Sequence, residues 1–224
     1  MAKEINNQFN LKSLPPFIYS REIKPKETDI NDIINATGSI LPRYIEDEGI
    51  KIEFNLTSER LNIMADISRM QEALLNLIKN ARDAMPLGGV LTISTKKANF
   101  NNGIYPYRND ELPAMCAVCS ISDTGTGMDE VTLKRALEPF FTSKMGVEQK
   151  GLGLPIAYHI VKEHNGSISM ESSPGKGTTI KLYLPLSGIG AEKIDPIPLP
   201  SSAGIRLMFN KSLLSGNSNQ QAGL

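Results

Sequence analysis

The chain has 224 residues, 40% of them apolar, which is enough to bury a sizeable core in one or two domains. Its 24 basic and 24 acidic residues balance, which excludes a global field that would attract nucleic acid or an anionic membrane surface, so any bound anion must be held locally. No apolar segment approaches the roughly 18 to 20 residues that span a bilayer, and the N-terminus lacks an export pattern. We therefore expect a cytoplasmic protein, or the soluble part of a longer, membrane-bound one.

The first predicted elements are a helix and a strand that follow an irregular lead-in. Residues 1–28 contain "SLPPF" and "KPKET", which favour a poorly ordered connector. From Asp29 the apolar positions keep a helical period, although Gly38 and Pro42 should kink or end the helix. The next segment, "IKIEFNL", alternates as a half-buried strand. The packed domain is therefore predicted to begin at about residue 29.

The second predicted helix is the segment "ISRMQEALLNLIKNARDAM". Asp66 lies before it as a helix cap, and Pro86 follows it. Asn76, Asn80 and Asp83 fall at positions i, i+4 and i+7, which places three polar side chains on one stripe of an otherwise apolar helix. An ordinary solvated face is the alternative, but asparagine is a mediocre helix former compared with the glutamate and lysine usual there. The stripe is therefore a candidate binding surface.

Two strands are predicted next, "VLTISTKK" and "AMCAVCSISD", separated by a polar insertion at residues 98–113. The second strand contains Cys116 and Cys119, whose spacing puts their side chains on opposite faces of the strand. A zinc site would need further ligands, and His159 and His164, the only histidines, lie five apart on a predicted helix, roughly 140° around its axis. We therefore predict reduced, buried or half-buried thiols rather than a redox or zinc site.

The end of the second strand carries a possible purine site, "SISDTGTGMD". Asp123 closes the strand, and Gly125 and Gly127 follow it. A carboxylate is an acceptor only, suited to the exocyclic amine of a purine, and the glycines would let the backbone pass close to a flat ring. Tight turns use the same residues, so this pattern alone is a weak signal.

A pair of glycines opens the helix "LPIAYHIVKEH". Because Gly151 and Gly153 precede it, free backbone N–H groups at its N-terminus can face a phosphate, and the absent side chains admit that phosphate. This segment is a candidate anion site.

The segment before the glycines, Thr142 to Lys150, lacks apolar anchors and carries Lys144. We expect it to be a mobile lid over a polyphosphate. Phe140 and Phe141 would hinge the lid against the core, with plain packing as the alternative.

The remaining pattern completes one domain. "DEVTLKRAL" is a short helix, and "SISMESS" and "GTTIKLYLPL" form a strand pair around the Pro174-Gly175 turn. Residues 187–224 are rich in Gly, Pro and Ser, with one short apolar patch, "IRLMF", and are predicted to be a flexible tail or linker. The fold class is thus α/β, a two-layer sandwich over about residues 29–186 with helices on one face of a mixed sheet.

These motifs together resemble the ATP-binding domain of sensor histidine kinases, within the superfamily shared with DNA gyrase B, the Hsp90 chaperone and the MutL repair protein. "NLIKNARDAM" is similar to the N box, "DTGTGM" to the first glycine box, "EPFFTSK" to the F box, "GLGLPIAYHIV" to the second glycine box and "SSPGKGTTIKLYLP" to the last glycine-threonine strand. Each motif alone is weak, whereas five in order are specific.

The resemblance implies a site for ATP and Mg²⁺. Asn80 would be the metal ligand, Asp123 would bind the adenine amine, and Thr178 would support Asp123 through its hydroxyl and a water. Asn76 would lie near the metal and phosphates, and Asn76 and Lys144 are the implied catalytic residues. The implied nucleotide-binding set is Asn76, Asn80, Asp83, Asp123, Gly125, Gly127, Met128, Phe140, Thr142, Lys144, Gly151, Leu152, Gly153, Leu154 and Thr178.

One position separates the activities within the superfamily. Hydrolysing members carry a glutamate four residues before the metal-binding asparagine, where it orients water. This chain has Asn76 there, an amide that cannot accept a proton at neutral pH. Transfer of the γ-phosphoryl group to an external histidine is therefore expected. A nucleotide-binding module without transfer and an ATPase of the gyrase or Hsp90 type are the alternatives.

The implied partner is a dimerisation hairpin that bears the acceptor histidine, with a response regulator further downstream. No histidine precedes residue 159, so the chain is either a catalytic fragment of a longer kinase, which the connector-like lead-in favours, or a protein that acts on a partner's histidine. We expect the isolated chain not to phosphorylate itself, and no nucleic-acid partner.

Overall fold

The computed structural model describes residues 22–45, 49–99, 115–142, 151–188 and 206–209. The elements, in chain order, are β1 (Lys26–Asp29), α1 (Ile30–Gly38), α2 (Pro42–Ile45), β2 (Ile50–Asn55), β3 (Asn62–Ala65), α3 (Ile67–Asp83), β4 (Gly89–Asn99), β5 (Met115–Asp123), α4 (Glu130–Arg135), α5 (Gly153–Glu163), β6 (Ser167–Ser172), β7 (Thr178–Pro185) and β8 (Arg206–Phe209).

A six-stranded mixed sheet forms one layer of the domain, in the order β2-β4-β5-β7-β6-β8. The pairs β2–β4 and β6–β8 are parallel, and the other three pairs are antiparallel. Alternate residues of the central strands, such as Ile121 and Leu182, join the buried core together with Leu77 of α3 and Ile160 of α5. The predicted sandwich, with helices against one face of a mixed sheet, is confirmed.

Helix α3 is the longest helix and is fixed at its start by Asp66, whose carboxylate accepts from the Arg69 N–H at 3.2 Å. Its apolar stripe, including Leu74, Leu77 and Ile78, is almost completely buried, and each such side chain contributes about 1.5–3 kcal/mol. Helices α3 and α5 pack against each other. They run antiparallel, because the start of α3 meets the end of α5.

A small second sheet surrounds the point where the chain enters and leaves the domain. β1 pairs antiparallel with β3, and Ile63 of β3 forms a bridge with Leu186 beyond β7. The Ser187 hydroxyl donates to Glu27 Oε1 at 2.6 Å, and the Ser187 N–H donates to the Asn62 carbonyl at 2.8 Å. The two ends of the domain therefore lie side by side.

The structure differs from the sequence prediction at both ends. The last residues of the predicted lead-in, 26–28, lie in β1, which pairs with β3, a strand too short to show an alternating pattern. Within the predicted tail of residues 187–224, the apolar patch provides β8. The rest of the lead-in and tail, most of the 98–113 insertion, and residues 143–150 of the predicted lid lie outside the described residues.

The two cysteines are free and fully buried, as predicted for structural thiols. Burial raises the pKa of the Cys116 thiol to about 11 and that of the Cys119 thiol to about 12. Both remain protonated and unreactive at neutral pH, because the thiolate is the nucleophile and metal ligand. Among the described residues, no group of three or more His, Cys, Asp or Glu side chains is placed to hold a metal ion.

Candidate nucleotide site

Asp123 lies at the end of β5, where its side chain is 8% exposed. Its Oδ1 accepts from the backbone N–H of Gly125 at 2.8 Å and from that of Thr178 at 3.2 Å. Two main-chain donors from different segments therefore fix the carboxylate orientation. The Thr178 hydroxyl lies 2.9 Å from Ser172 Oγ, so the contact observed between Thr178 and Asp123 is made by the main chain.

The glycines around Asp123 are required by close backbone approach. A Cβ atom on Gly177 would lie 1.9 Å from the Asp123 carbonyl oxygen, and one on Gly127 would lie 2.0 Å from that of Ser173. Both glycines also have positive φ angles, +78° and +64°, which side chains disfavour. These contacts pack three segments together, in addition to any role of the glycines beside a flat ring.

Backbone hydrogen bonds join the three segments into one unit. The Thr126 N–H donates to the Ala84 carbonyl at the end of α3, at 2.9 Å, and the Gly175 N–H donates to the Thr126 carbonyl at 2.7 Å. The Met128 N–H donates to Ser172 Oγ at 2.8 Å. The end of α3, the loop after β5 and the β6–β7 turn are thereby held in a fixed arrangement around Asp123.

Asn76 and Asn80 face the start of α5. A Cβ atom placed on Gly153 would lie 3.4 Å from each of their Oδ1 atoms. The Asn76 Nδ2 donates to the Glu72 carbonyl at 3.0 Å, which orients its Oδ1 toward the gap. The third member of the stripe, Asp83, is half-buried and pairs with the neighbouring Arg82 guanidinium at 2.6 Å. The structure thus brings two amides of α3 and the N-terminus of α5 together.

The N-terminus of α5 carries no side-chain cap. Leu152 occupies the cap position without a capping hydrogen bond, and Gly153 is the first helical residue. The first N–H groups of a helix have no partner within it and carry a partial positive charge. Leu154, one residue further, is 9% exposed and joins the core. The helix start is therefore suited to an anion.

The two ends of the predicted lid meet at Phe140 and Gly151. The Phe140 N–H donates to the Gly151 carbonyl at 3.1 Å, and a Cβ atom on Gly151 would lie 2.5 Å from the Phe141 carbonyl oxygen. Phe141 packs beneath the Arg135 guanidinium, 4.2 Å from its ring centre. Phe140 was predicted to hinge the lid against the core. Its φ is +66° and it is 61% exposed, so its side chain does not pack into the core.

Of the other predicted site residues, Thr142 is exposed and Met128 is half-buried. Lys144 lies outside the described residues. The roles assigned to all the site residues remain predictions.

Comparison with known proteins identifies the family of this domain. The family model described as "Histidine kinase-, DNA gyrase B-, and HSP90-like ATPase" matches residues 65–188, more than half of the chain. The chain belongs to this family. The matched part includes Asn76, Asn80, Asp123 and Gly153, and it is an ATP-binding catalytic domain of the histidine kinase type.

Several relatives are sensor kinases. Sensor kinase CckA of Brucella abortus (strain 2308) is 32% identical over 175 residues, which cover 78% of this chain and 18% of CckA. Sporulation kinase C of Bacillus subtilis (strain 168) is 35% identical over 162 residues, which cover 72% of this chain and 34% of the relative. The chain thus spans between 18% and 34% of the length of these curated relatives.

A solved structure shares the fold of the histidine kinase-type domain. Full-length ShkA in complex with AMPPNP has a TM-score of 0.59 at 21% identity, and the match covers 75% of this chain and 32% of ShkA.

Among the described residues of our chain, no helix is long and apolar enough to cross a bilayer.

At the opposite end of α3 and α5 lies a second polar cluster of this ATPase-family domain. The Arg69 guanidinium contacts Glu163 at 2.9 Å and Glu72 at 2.8 Å, and His159 Nε2 lies 3.3 Å from Glu163 Oε1. Burial opposes ionisation of Glu163, but its contacts with His159 and Arg69 outweigh this and lower the pKa of the carboxyl. The sequence showed no sign of this cluster, because Arg69 and Glu163, which join its two halves, are 94 residues apart.

His164 completes this end of the helix pair. Its Nε2 accepts from the Asp66 N–H at 2.9 Å, and its Nδ1 lies 2.6 Å from the Ile160 carbonyl, to which it donates. Burial lowers the pKa of His164, so the neutral form is favoured. The Asp66 carboxylate also accepts from the Lys24 N–H at 3.0 Å. Asp66 therefore connects the incoming chain, at Lys24, with the start of α3 and, through His164, with the end of α5.

Proposed function

We propose that this chain is the catalytic part of a protein-histidine kinase, which binds ATP with Mg²⁺ and transfers the γ-phosphoryl group to a histidine on a separate helical hairpin. The observation that carries the proposal is the meeting of the Asn76 and Asn80 amides with the N-terminus of α5, on a helix whose end is bonded to the loop that follows the buried Asp123.

The adenine end of the nucleotide is assigned to Asp123. Its carboxylate is fixed by two main-chain donors, and an ionised carboxylate can only accept hydrogen bonds, which suits the exocyclic amine of adenine. A site that pairs a buried acceptor with this amine rejects purines that carry a carbonyl oxygen there, because acceptor would face acceptor. The fold of ShkA, which resembles this one, holds the ATP analogue AMPPNP.

The residues around Asn80 fit a magnesium ion. Its amide lies against the start of α5, with Oδ1 3.4 Å and Nδ2 3.5 Å from the position of a Cβ atom on Gly153. Mg²⁺ prefers hard oxygen ligands, which the amide oxygen would supply, and usually takes only one or two from the protein, with phosphates and water completing the shell. When bound, the ion would neutralise charge on the transferring phosphates. Asn76, with its Nδ2 tied to the Glu72 carbonyl, would present its amide oxygen to the same region.

The phosphates are assigned to the N-terminus of α5. The backbone N–H groups of residues 151–154 can donate to phosphate oxygens, and the absence of a side chain at Gly153 leaves room beside the two asparagines. Lys144 is proposed to add a positive charge there.

The amide at Asn76 favours transfer of the γ-phosphoryl group over hydrolysis of ATP. Activation of a water molecule needs a base, and an amide cannot take its proton. An acceptor imidazole with a pKa near 6.5 is already largely neutral at pH 7 and needs positioning more than a base. Neither His159 nor His164 is suited to be the acceptor, since both are at least 95% buried and bonded within the α3–α5 pair.

A phosphotransfer assay tests the proposal. The full chain is incubated with Mg²⁺ and γ-labelled ATP, with and without the purified histidine hairpin of a candidate parent or partner kinase. We expect label on the hairpin only, and slow transfer at low concentration, because the acceptor nitrogen must come within about 3 to 3.5 Å of the phosphorus. The labelled hairpin should then pass its phosphoryl group to a response regulator.

The matched variants are Asn80→Ala and Asn35→Ala, the second at an exposed position of α1. Asn80→Ala should abolish labelling, and Asn35→Ala should leave it unchanged. Tight ATP binding with no transfer to any hairpin would indicate a binding module. Release of labelled phosphate without a hairpin would indicate an ATPase, and label on the chain itself that survives in Asn80→Ala would refute both the acceptor and the metal assignment.

A further inference from the structure

The sheet edge beside the nucleotide site is closed by a segment from the C-terminal part of the chain. β8 pairs parallel with β6, with Ser169 opposite Arg206 and Ser172 opposite Phe209. Five of the six residues of β6 are buried, whereas none of the six residues of β2, at the other edge of the sheet, is buried. With β8 in place, β6 therefore has the surroundings of an interior strand. Without β8, β6 would be the edge strand, and a row of its backbone N–H and C=O groups would be unpaired.

The register places the far end of β8 next to the site itself. Ser172, the partner of Phe209, receives the Met128 N–H at 2.8 Å and donates to the Gly177 carbonyl at 3.1 Å. Both contacts belong to the segments that surround Asp123. Helix α4, which begins two residues after Met128, also contacts β8. β8 therefore lies next to the segments that surround Asp123, through its pairing with Ser172 and its contact with α4.

We propose that residues 206–209 dock in cis as the edge strand of the sheet and brace α4 and the loop between β5 and α4, so that strand docking and nucleotide binding strengthen each other. This rests on the proposed function for the nucleotide half of the coupling. By linkage, a segment that stabilises the binding-competent arrangement must itself be stabilised when nucleotide binds.

The chain's own segment is the occupant that the length of the chain favours. Seventeen residues, 189–205, separate the last described residue of the domain from β8, and they reach about 55–60 Å when extended. A compact domain of this size is only about 40 Å across. A tethered strand is also present at a high effective concentration, so it outcompetes a free peptide or the strand of a second copy.

The test uses the full chain with the double substitution Leu207→Pro and Met208→Pro, which removes two consecutive N–H groups from the strand. The matched control is Asn217→Pro with Ser218→Pro, in the same C-terminal region but outside β8. Hydrogen exchange of the β6 amides is measured without nucleotide, and affinity for a Mg²⁺–ATP analogue is measured by calorimetry.

We expect the 207/208 variant to exchange the outward β6 amides at least about tenfold faster and to bind the analogue several-fold more weakly, while the control matches the wild type. Unchanged β6 exchange would show that the strand does not dock. Faster exchange with unchanged affinity would overturn the coupling. Absence of nucleotide binding in the wild type would refute the proposed function, while the exchange data would still report on docking.

Light scattering over a range of concentrations decides between cis docking and exchange with a second copy. A monomer with protected β6 amides supports cis docking. A dimer that dissociates in the 207/208 variant but persists in the control would overturn it.

Discussion

The two ends of the α3–α5 helix pair are built from different chemistry. At one end, half-buried amides meet a helix N-terminus without a side-chain cap, and glycines pack around the buried carboxylate of Asp123. At the other end, buried ionisable side chains contact one another within and between the two helices. The first end presents groups suited to a ligand outside the chain, whereas the charged groups of the second end contact each other within the chain. Binding and stability are therefore expected to respond to different mutations of the same two helices.

The largest expected effect comes from the glycines that pack the nucleotide end. In Gly177→Ala, the new Cβ would meet the Asp123 carbonyl oxygen at 1.9 Å at a φ of +78°, so we expect a loss of about 4 kcal/mol in unfolding free energy. Gly175→Ala is the control, since its φ is +70° but nothing lies within 4 Å, and it should lose only about 1–2 kcal/mol. Denaturant unfolding of both variants measures this. Equal losses would show that close approach is not what requires Gly177.

The next effect separates the ends directly. Arg69→Met leaves Glu163 without its buried partner, which should cost about 3 kcal/mol, at the lower end for a buried pair because Glu72 is partly exposed. Nucleotide affinity of the folded variant should stay within twofold of the wild type, as measured by calorimetry well below the unfolding temperature. Arg60→Met, at an 80% exposed side chain, is the control. A large loss of affinity in Arg69→Met would mean that the two ends are not independent.

The converse change is Asp123→Asn. The amide can still accept from Gly125 and Thr178, but it loses a charge-assisted bond to the adenine amine, worth about 1.5–3 kcal/mol. ATP affinity should fall roughly 10- to 150-fold, with a small change in unfolding free energy. Asp32→Asn, at an exposed position of α1, serves as the control. Unchanged affinity in Asp123→Asn would remove the adenine assignment.

The sequence predicted the sandwich and the nucleotide motifs, but not the contacts between distant segments or the shortest strands. The helix period, the Asp66 cap and the five ordered motifs were enough for the sandwich and for the juxtaposition of Asn80 with the second glycine box. The Arg69–Glu163 ion pair and the hydrogen bond from the Asp66 N–H to His164 could not be predicted, because contacts between distant segments leave no periodic signal in either segment. β1 and β8 were missed because a four-residue strand is stabilised by its partner rather than by its own pattern.

The smallest expected effect is a dependence of stability on pH from the second end. The native pKa of His164 is lowered by burial, so below about pH 6.5 the unfolded chain binds a proton that the native state does not. Stability should fall as pH drops from about 6.5 toward the native pKa, by at most about 1.4 kcal/mol per pH unit. Glu163 and Asp66, whose pKa values are lowered, add to the loss only below about pH 4.5.

Unfolding titrations between pH 7.5 and 5 for the wild type and for His164→Asn measure this contribution. The variant should show a flatter profile in this range. If the wild type were equally stable at pH 5 and pH 7, or if the variant kept the full slope, His164 would not be the group that titrates.

The contact between Ser187 and Glu27 has a consequence for how such a domain can be used. Glu27 and Ser187 lie at one corner of the domain, joined by a 2.6 Å hydrogen bond. The domain can therefore be inserted into a longer polypeptide without separating the segments that flank it. The same closeness makes circular permutation feasible: a short connector joining the neighbourhood of Glu27 to that of Ser187, with new termini opened at an exposed turn away from Asp123, should give the domain without β8.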